Sequence, residues 1–199
     1  MDLFTSLENK TAFITGSTSG IGKAIASALV SAGCKVWVHG KETSVCECVC
    51  REIKAAGWFA VDLLENNAGS VLAAQLKEKI EVLHILINNA GIEAFNPFEE
   101  FDQALFDEIY QVNTRSAVAL THGLLPLLKQ AGGSVIINVT SIHQSIPYPK
   151  NLAYGMSKAA LSMFTQTLAL ELAPYNIRVN NFAPGAVRTE INKELIDRL

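Results

Sequence analysis

Short apolar runs alternate with helix-length segments along the 199-residue chain, and this alternation limits the possible folds more than any other feature. The runs "TAFIT" (11–15), "KVWV" (35–38), "WFAV" (58–61), "LHILI" (83–87), "SVIINV" (134–139) and "IRVNNF" (177–182) are largely β-branched or aromatic, as buried parallel strands require. Helical stretches are expected between them at 20–32, 44–56, 66–79, 100–129 and 153–173. Strands joined by crossovers of helix length predict right-handed βαβ units, hence a doubly wound parallel sheet with helices on both faces. No Pro/Ser-rich linker or charge block divides the chain, so residues 1–199 are expected to form a single α/β domain of three αβα layers.

Composition removes several classes of function. Apolar residues make up 49% and charged residues 18%, a globular rather than a disordered balance. A net charge of −3 provides no basic field, so neither nucleic acid nor an anionic membrane is expected as a partner. No apolar run reaches the length of a membrane span, and "MDLFTSLENK" has neither a basic start nor an apolar signal core, so a cytoplasmic location is expected. Of the four cysteines, Cys46, Cys48 and Cys50 cluster in "VCECVC", within a helix expected to open at Thr43 or Ser44 and close at Gly57. Cys46 and Cys50 share a face of that helix and Cys48 does not, and no His or fourth thiol completes a tetrahedron. Packing cysteines are therefore expected, with no metal.

The tetrapeptide Asn-Asn-Ala-Gly occurs twice, at 66–69 and 88–91. The first copy should start a helix, with Asn66 or Asn67 as its N-cap. The second directly follows a fully apolar strand, at the carboxyl end where ligands bind in such sheets. The surroundings share only apolar character, so the duplication is not a structural repeat.

"TAFITGSTSGIGKAIASALVSAG" reads as strand, glycine turn, helix. Gly16 permits the tight exit from the strand, Gly20 lets backbone approach a pyrophosphate, and Gly22 lets the helix pack closely. The helix N-terminus then offers unpaired N–H groups to phosphates. The second strand ends "VHGKE", with Gly40 where an acidic residue would hold a ribose 2′-hydroxyl and Lys41 next to it. This favours NADP(H), with NAD(H) as the alternative.

A second constellation carries acid–base chemistry. Tyr154 and Lys158 in "YGMSK" lie at i and i+4 of one helix, and Ser141 ends the preceding strand in "NVTS". An ammonium group beside a phenol favours the phenolate and so is expected to lower the tyrosine pKa from about 10. Ser141 can hydrogen-bond and polarise a substrate carbonyl.

Together, "TGSTSGIG", "VDLL", "NNAG", "VN" at 112–113, Ser141, "YGMSK" and "APGAVRT" resemble the short-chain dehydrogenase/reductase family in its ordinary form, from about residue 8 onward. The resemblance implies a Rossmann fold and a small-molecule alcohol or carbonyl substrate. It makes Tyr154 the general acid/base, with Lys158 lowering its pKa and holding the nicotinamide ribose, Ser141 orienting substrate, and Asn113 maintaining a water in the proton relay. By the same resemblance the cofactor would be held by Gly16, Ser17, Thr18, Ser19, Gly20, Ile21 and Gly22, with Lys41 at the ribose. Asp62 and Leu63 would contact adenine, and Asn89, Ala90 and Gly91 would line the nucleotide. Pro184, Gly185, Val187 and Thr189 would sit against the nicotinamide.

"SIHQSIPYP" and "INNAGIE" are similar to the glucose 1-dehydrogenase branch, which makes His143, Tyr148, Glu93 and Phe95 pocket candidates. The 3-oxoacyl reductases of fatty-acid synthesis share the same core motifs. Family members continue beyond the position of "INKELIDRL" through a substrate-covering helix to a last strand, so the chain is expected either to be a fragment or to have lost that edge strand. A homodimer or homotetramer is implied by the family. The competing class is a non-catalytic dinucleotide-binding or scaffolding protein.

Overall fold

The computed structural model describes residues 7–187. Six strands, β1 (Thr11–Ile14), β2 (Lys35–Gly40), β3 (Gly57–Ala60), β4 (Ile85–Asn88), β5 (Ser134–Val139) and β6 (Ile177–Phe182), form one parallel sheet in the order β3-β2-β1-β4-β5-β6. The doubly wound Rossmann architecture expected from the sequence is therefore present. Strand order reverses between β1 and β4, and the crevice at their carboxyl ends is where such sheets bind ligands.

The strands explain their own sequences. Successive side chains point to opposite faces, and both faces are covered. Ala12 and Ile14 of β1 enter a core with Val36, Val38 and Ala26, the last from α1 (Gly20–Ser31), against which Ile53 of α2 (Thr43–Ile53) also packs. Phe13 enters the opposite core with Leu72 and Leu76 of α3 (Ala68–Lys77) and Leu120, Leu124 and Leu128 of α5 (Ser116–Gln130). Leu172, at the end of α6 (Leu152–Leu172), joins this second core.

Two local expectations meet a different outcome, and a third holds in position but not in its capping bond. Helix α2 stops at Ile53 because Lys54 turns left-handed at φ 60°, and Gly57 belongs to β3 instead of closing the helix. Gly57 has a packing reason: a Cβ there would lie 2.2 Å from Cζ3 of Trp37 on the neighbouring strand. Gly57→Ala should accordingly destabilise the protein by about 1–3 kcal/mol through overpacking, read as a lowered midpoint in chemical denaturation. At the first Asn-Asn-Ala-Gly, Asn67 occupies the N-cap position of α3 with φ 62° and no side-chain capping bond. This copy supplies a turn.

The stretch expected as one helix over 100–129 is divided. Asp102 caps α4 (Gln103–Tyr110), its Oδ1 accepting from the Ala104 and Leu105 N–H groups at 2.8 and 3.3 Å. A five-residue π turn, Gln111–Arg115, then joins α4 to α5. The wider turn carries Val112 and Asn113 into the interior. Single-turn π segments often serve functional sites in this way.

Candidate active site

The glycine turn leaves β1 at the switch point. Gly16 has φ +61°, and a Cβ on it would lie 2.9 Å from Cα of Ala90, so glycine is required on both counts. The Asn89 side chain braces the turn by donating to the carbonyls of Thr15 (2.9 Å) and Gly16 (3.0 Å). The Thr15 hydroxyl accepts from the Asn89 and Ala90 N–H groups at 2.9 and 3.0 Å. The second Asn-Asn-Ala-Gly thus locks two strand ends together. Gly22 lies behind the turn, where a Cβ would meet Asn89 Nδ2 and the Gly16 carbonyl at 2.4 Å. Ser17 is fully buried, and its hydroxyl donates to the Ile14 carbonyl at 2.8 Å. Neither Ser17 nor Gly22 faces the cleft; Gly16, Thr18, Ser19, Gly20 and Ile21 do.

That cleft has a volume of about 410 Å³. At its phosphate end, α1 begins with Ser19 as N-cap, which makes no side-chain capping bond, and the first turn holds no acidic residue. Free N–H groups and the helix dipole therefore suit an anion. Lys41, Asp62 and Leu63 line the end nearest β2 and β3, joined by Gly40, Val61 and His39. At the far end the cleft is lined by Asn89, Ala90, Gly91, Glu93, Ser141, Tyr154, Lys158, Pro184, Gly185 and Val187. Thr189 lies outside the described residues.

The acid–base residues converge as their spacing predicts. Ser141 follows the end of β5, and Tyr154 and Lys158 stand one turn apart on α6, all three on the cleft. Lys158 is only 3% exposed; its Nζ donates to the Val139 carbonyl at 2.8 Å and lies 5.6 Å from the centroid of the Tyr154 ring. Burial pushes the Lys158 pKa down to about 8, with the Glu93 carboxylate opposing the fall. Burial also raises the Tyr154 phenol above its ordinary value of 10.0; the hydrogen bond with Ser141 lowers it and Glu93 raises it further. The expected depression of this phenol by Lys158 is thus not seen in the protein alone. Withdrawal from water dominates, and the ammonium is directed to a carbonyl and not to the phenol oxygen.

Asn113 does not line the cleft. Its Oδ1 accepts from the Ile92 N–H at 2.8 Å, and its Nδ2 donates to the Ile92 carbonyl at 2.9 Å and Ser157 Oγ at 3.0 Å. It fixes the backbone just after Gly91. There the room left by the missing Cβ brings Lys158 Nζ and Asn113 Oδ1 within 3.2 and 3.3 Å of where that atom would be.

The four pocket candidates divide. Glu93 faces the cleft, and its Oε1 accepts from Asn151 Nδ2 at 2.6 Å. His143 and Tyr148 line a neighbouring cavity of about 630 Å³. Their rings lie 5.4 Å apart, and the His143 ring is 6.4 Å from that of Tyr154. Phe95 packs edge-on to Tyr148 at 6.1 Å and is half exposed. Among the described residues no group of His, Cys, Asp or Glu side chains could hold a metal. Burial raises the pKa of Cys34, Cys46 and Cys50, which fits packing roles. Sequence reading noted Asn88 only within its tetrapeptide and overlooked Asn138 and Asn181; the three share one register position on β4, β5 and β6. Asn88 donates to Asn138 and Asn138 to Thr165, running a polar chain from sheet to α6 behind the cleft.

Comparison with known proteins follows the same lines. A family model described as short chain dehydrogenase matches residues 10–199. A short chain dehydrogenase of Pseudocercospora fijiensis is 34% identical over 93% of this chain, which spans 62% of that relative. A 3-oxoacyl (acyl-carrier-protein) reductase of Agrobacterium tumefaciens, solved with NADP bound, superposes with a TM-score of 0.93 at 29% identity, covering 100% of this chain and 79% of that one. A 3-ketoacyl-(acyl-carrier-protein) reductase of Brucella melitensis complexed with NADH gives 0.87 at 33% identity, over 94% and 80%. No helix among the described residues is long and apolar enough to cross a membrane.

Proposed function

The chain belongs to the short-chain dehydrogenase family, and from that premise we propose an oxidoreductase that interconverts a secondary alcohol and a carbonyl using NADP(H), with NAD(H) as the alternative. One observation carries this reading: Ser141, Tyr154 and Lys158 meet on a single cleft whose other end is the uncapped N-terminus of α1. A nicotinamide dinucleotide, when bound, gives or takes a hydride at the reacting carbon. Gly16, Thr18, Ser19, Gly20 and Ile21 hold the phosphates through backbone N–H groups, while Ser17 and Gly22 shape the turn from behind. Asp62 and Leu63 face the base, and Asn89 to Gly91 with Pro184, Gly185 and Val187 wall the nicotinamide half.

The remaining steps belong to this chain's own residues. Ser141 donates a hydrogen bond to the substrate oxygen. Tyr154 Oη gives its proton to that oxygen in the reducing direction and takes one back in the oxidising direction. A phenol kept protonated by burial is ready as the acid. Lys158 keeps a positive charge beside the phenol and holds ribose hydroxyls, and Asn113 sets the backbone against which Lys158 rests.

Lys41 supports the preference for NADP(H): it follows Gly40, which stands where an acid would otherwise hold the 2′-hydroxyl, and it borders the cleft. Lys41→Glu should weaken NADP(H) relative to NAD(H) by about tenfold, the scale of one lost charge-assisted contact, in fluorescence titrations of the two reduced cofactors. An unchanged ratio would remove the lysine from selection.

For the substrate, a sugar is supported by Glu93, a carboxylate beside Tyr154 that can accept from neighbouring hydroxyls. A 3-oxoacyl thioester is supported by the two acyl-carrier-protein reductases that superpose on the chain. A homo-oligomer is part of the reading, supported by Met163 and Leu170, 61% and 80% exposed and two turns apart on α6. The experiment follows reduced-nicotinamide absorbance with glucose, a 3-oxoacyl thioester and a panel of simple alcohols and ketones. Turnover of glucose alone selects the sugar reading. Bound cofactor with no turnover would favour the non-catalytic binding protein.

A further inference from the structure

We propose that His39 is a positioning residue of the dinucleotide site, its imidazole holding the glycine turn in the shape that presents α1 to phosphates. The proposal rests on the dinucleotide reading above. His39 lies on β2, is 2% exposed, and borders the cleft beside Gly40 and Val61. Its Nδ1 accepts from the Gly16 N–H at 3.1 Å and its Nε2 contacts the Val61 carbonyl at 3.0 Å. Because the Gly16 amide can only donate, Nδ1 must carry the lone pair and Nε2 the proton, which it donates to Val61. The backbone repeats the link: the His39 N–H donates to Ser17 Oγ at 2.9 Å, and the Ser17 N–H to the His39 carbonyl at 2.8 Å.

One ring therefore joins the exits of three adjacent strands. Gly16 comes from β1, His39 from β2 and Val61 from the residue after β3. These three exits frame the end of the cleft assigned to the adenosine half. At Gly16 the chain is already constrained from the other side by Ala90 and by Asn89, which occupies the Gly16 carbonyl. The imidazole takes the remaining backbone polar group of Gly16, its N–H. With both groups held, the turn cannot rotate without leaving a buried donor unsatisfied.

The tautomer makes the link conditional on a neutral ring. Burial lowers the His39 pKa to about 4, with the Val61 carbonyl and the Asp62 carboxylate opposing the fall. The groups facing the ring are Phe13 from β1, edge-on at 6.2 Å, Asp62 from the end of β3, and Ser17 and Gly16 from the turn. A proton on Nδ1 would point at the Gly16 N–H, and the hydrogen bond would be lost.

Two substitutions separate positioning from simple packing. His39→Asn can place an amide oxygen where Nδ1 stands and keep the Gly16 bond. His39→Gln can place an amide nitrogen where Nε2 stands and keep only the Val61 bond. Each loses one hydrogen bond and some ring volume, so a merely structural role predicts equal effects. We expect NADPH affinity at pH 7, read by nicotinamide fluorescence, to fall by about tenfold or more in His39→Gln and by less than about threefold in His39→Asn. Equal losses, or none, would overturn the proposal.

A measurement on the wild-type protein without dinucleotide tests the same contact and needs no variant to fold. Nitrogen-15 spectra recorded from pH 7 down toward 4 should show the Gly16 amide shifting along with the His39 ring. An amide that ignores the imidazole refutes the link. If wild-type protein binds neither NADPH nor NADH, the dinucleotide reading fails, and the two results stay distinguishable.

Discussion

Tyr154→Phe should lower turnover by a factor on the order of 10³, the usual contribution of a positioned acid or base, while NADP(H) binding changes by less than about threefold. The substitution removes one oxygen and leaves the ring in place on α6. The lost atom is the oxygen of the only phenol that lines the cleft among the described residues, and it is the partner of Ser141. Lys158 keeps its bond to the Val139 carbonyl, so the nicotinamide half of the cleft retains its shape. Steady-state rates in both directions, paired with a fluorescence titration of the reduced cofactor, check the two halves separately. In the wild type the oxidative rate should rise with pH, because burial holds the phenol above 10.0 and the base form becomes populated only in alkali. A Phe variant that still turns over would remove Tyr154 from the chemistry.

The parallel, doubly wound sheet and its layer number were legible in the sequence because periodicity and length are global signals. An apolar run of four to six residues followed by a helix-length crossover has few topological solutions. The long helix between residues 100 and 129 was misjudged because a π turn preserves apolar spacing closely enough to pass for continuous helix. Only the capping role of Asp102 marks the true start of α4. Gly57 was assigned to a helix end because that is the commonest use of glycine; its real constraint is the ring of Trp37 on the next strand. That contact depends on register, which local sequence does not encode.

For the site, residues at strand ends and at i, i+4 helical spacing could be placed from the chain alone, and Ser141, Tyr154 and Lys158 do share the cleft. What could not be read was the environment. Spacing brings an ammonium near a phenol, but burial decides which way each titrates, and here it raises the tyrosine and lowers the lysine. The sharing of one register position by the asparagines on β4, β5 and β6 was invisible for the same reason as Trp37. His39 sat in plain view between strand and Lys41, yet nothing local shows that its ring reaches back 23 positions to Gly16.

Lys158→Met should abolish turnover and at the same time make the protein more stable. The lysine is essentially buried, its ammonium donates to the Val139 carbonyl at 2.8 Å as its one hydrogen bond among the described residues, and its pKa falls from 10.5 to about 8. Below pH 8 the group is protonated folded or unfolded, and the folded state bears the full cost of burying the charge. Between pH 8 and 10.5 the unfolded chain holds a proton that the folded protein has released. Stability therefore rises with pH across that window, by up to about 3 kcal/mol from this group. Methionine has similar length and no charge, so it removes the burial cost and forfeits only the hydrogen bond to Val139. A net gain of about 1–2 kcal/mol is expected at pH 7, or roughly 3–6 °C in Tm for a chain of this size. Thermal unfolding of wild type and variant at pH 7 and pH 10 checks it. The gap should be widest at pH 7 and shrink at pH 10, where the wild-type lysine is itself neutral. A variant that melts below the wild type at pH 7, or a gap indifferent to pH, would mean that Lys158 is not held as a strained cation. Its retention against that cost would then need a reason other than the charge it brings to Tyr154.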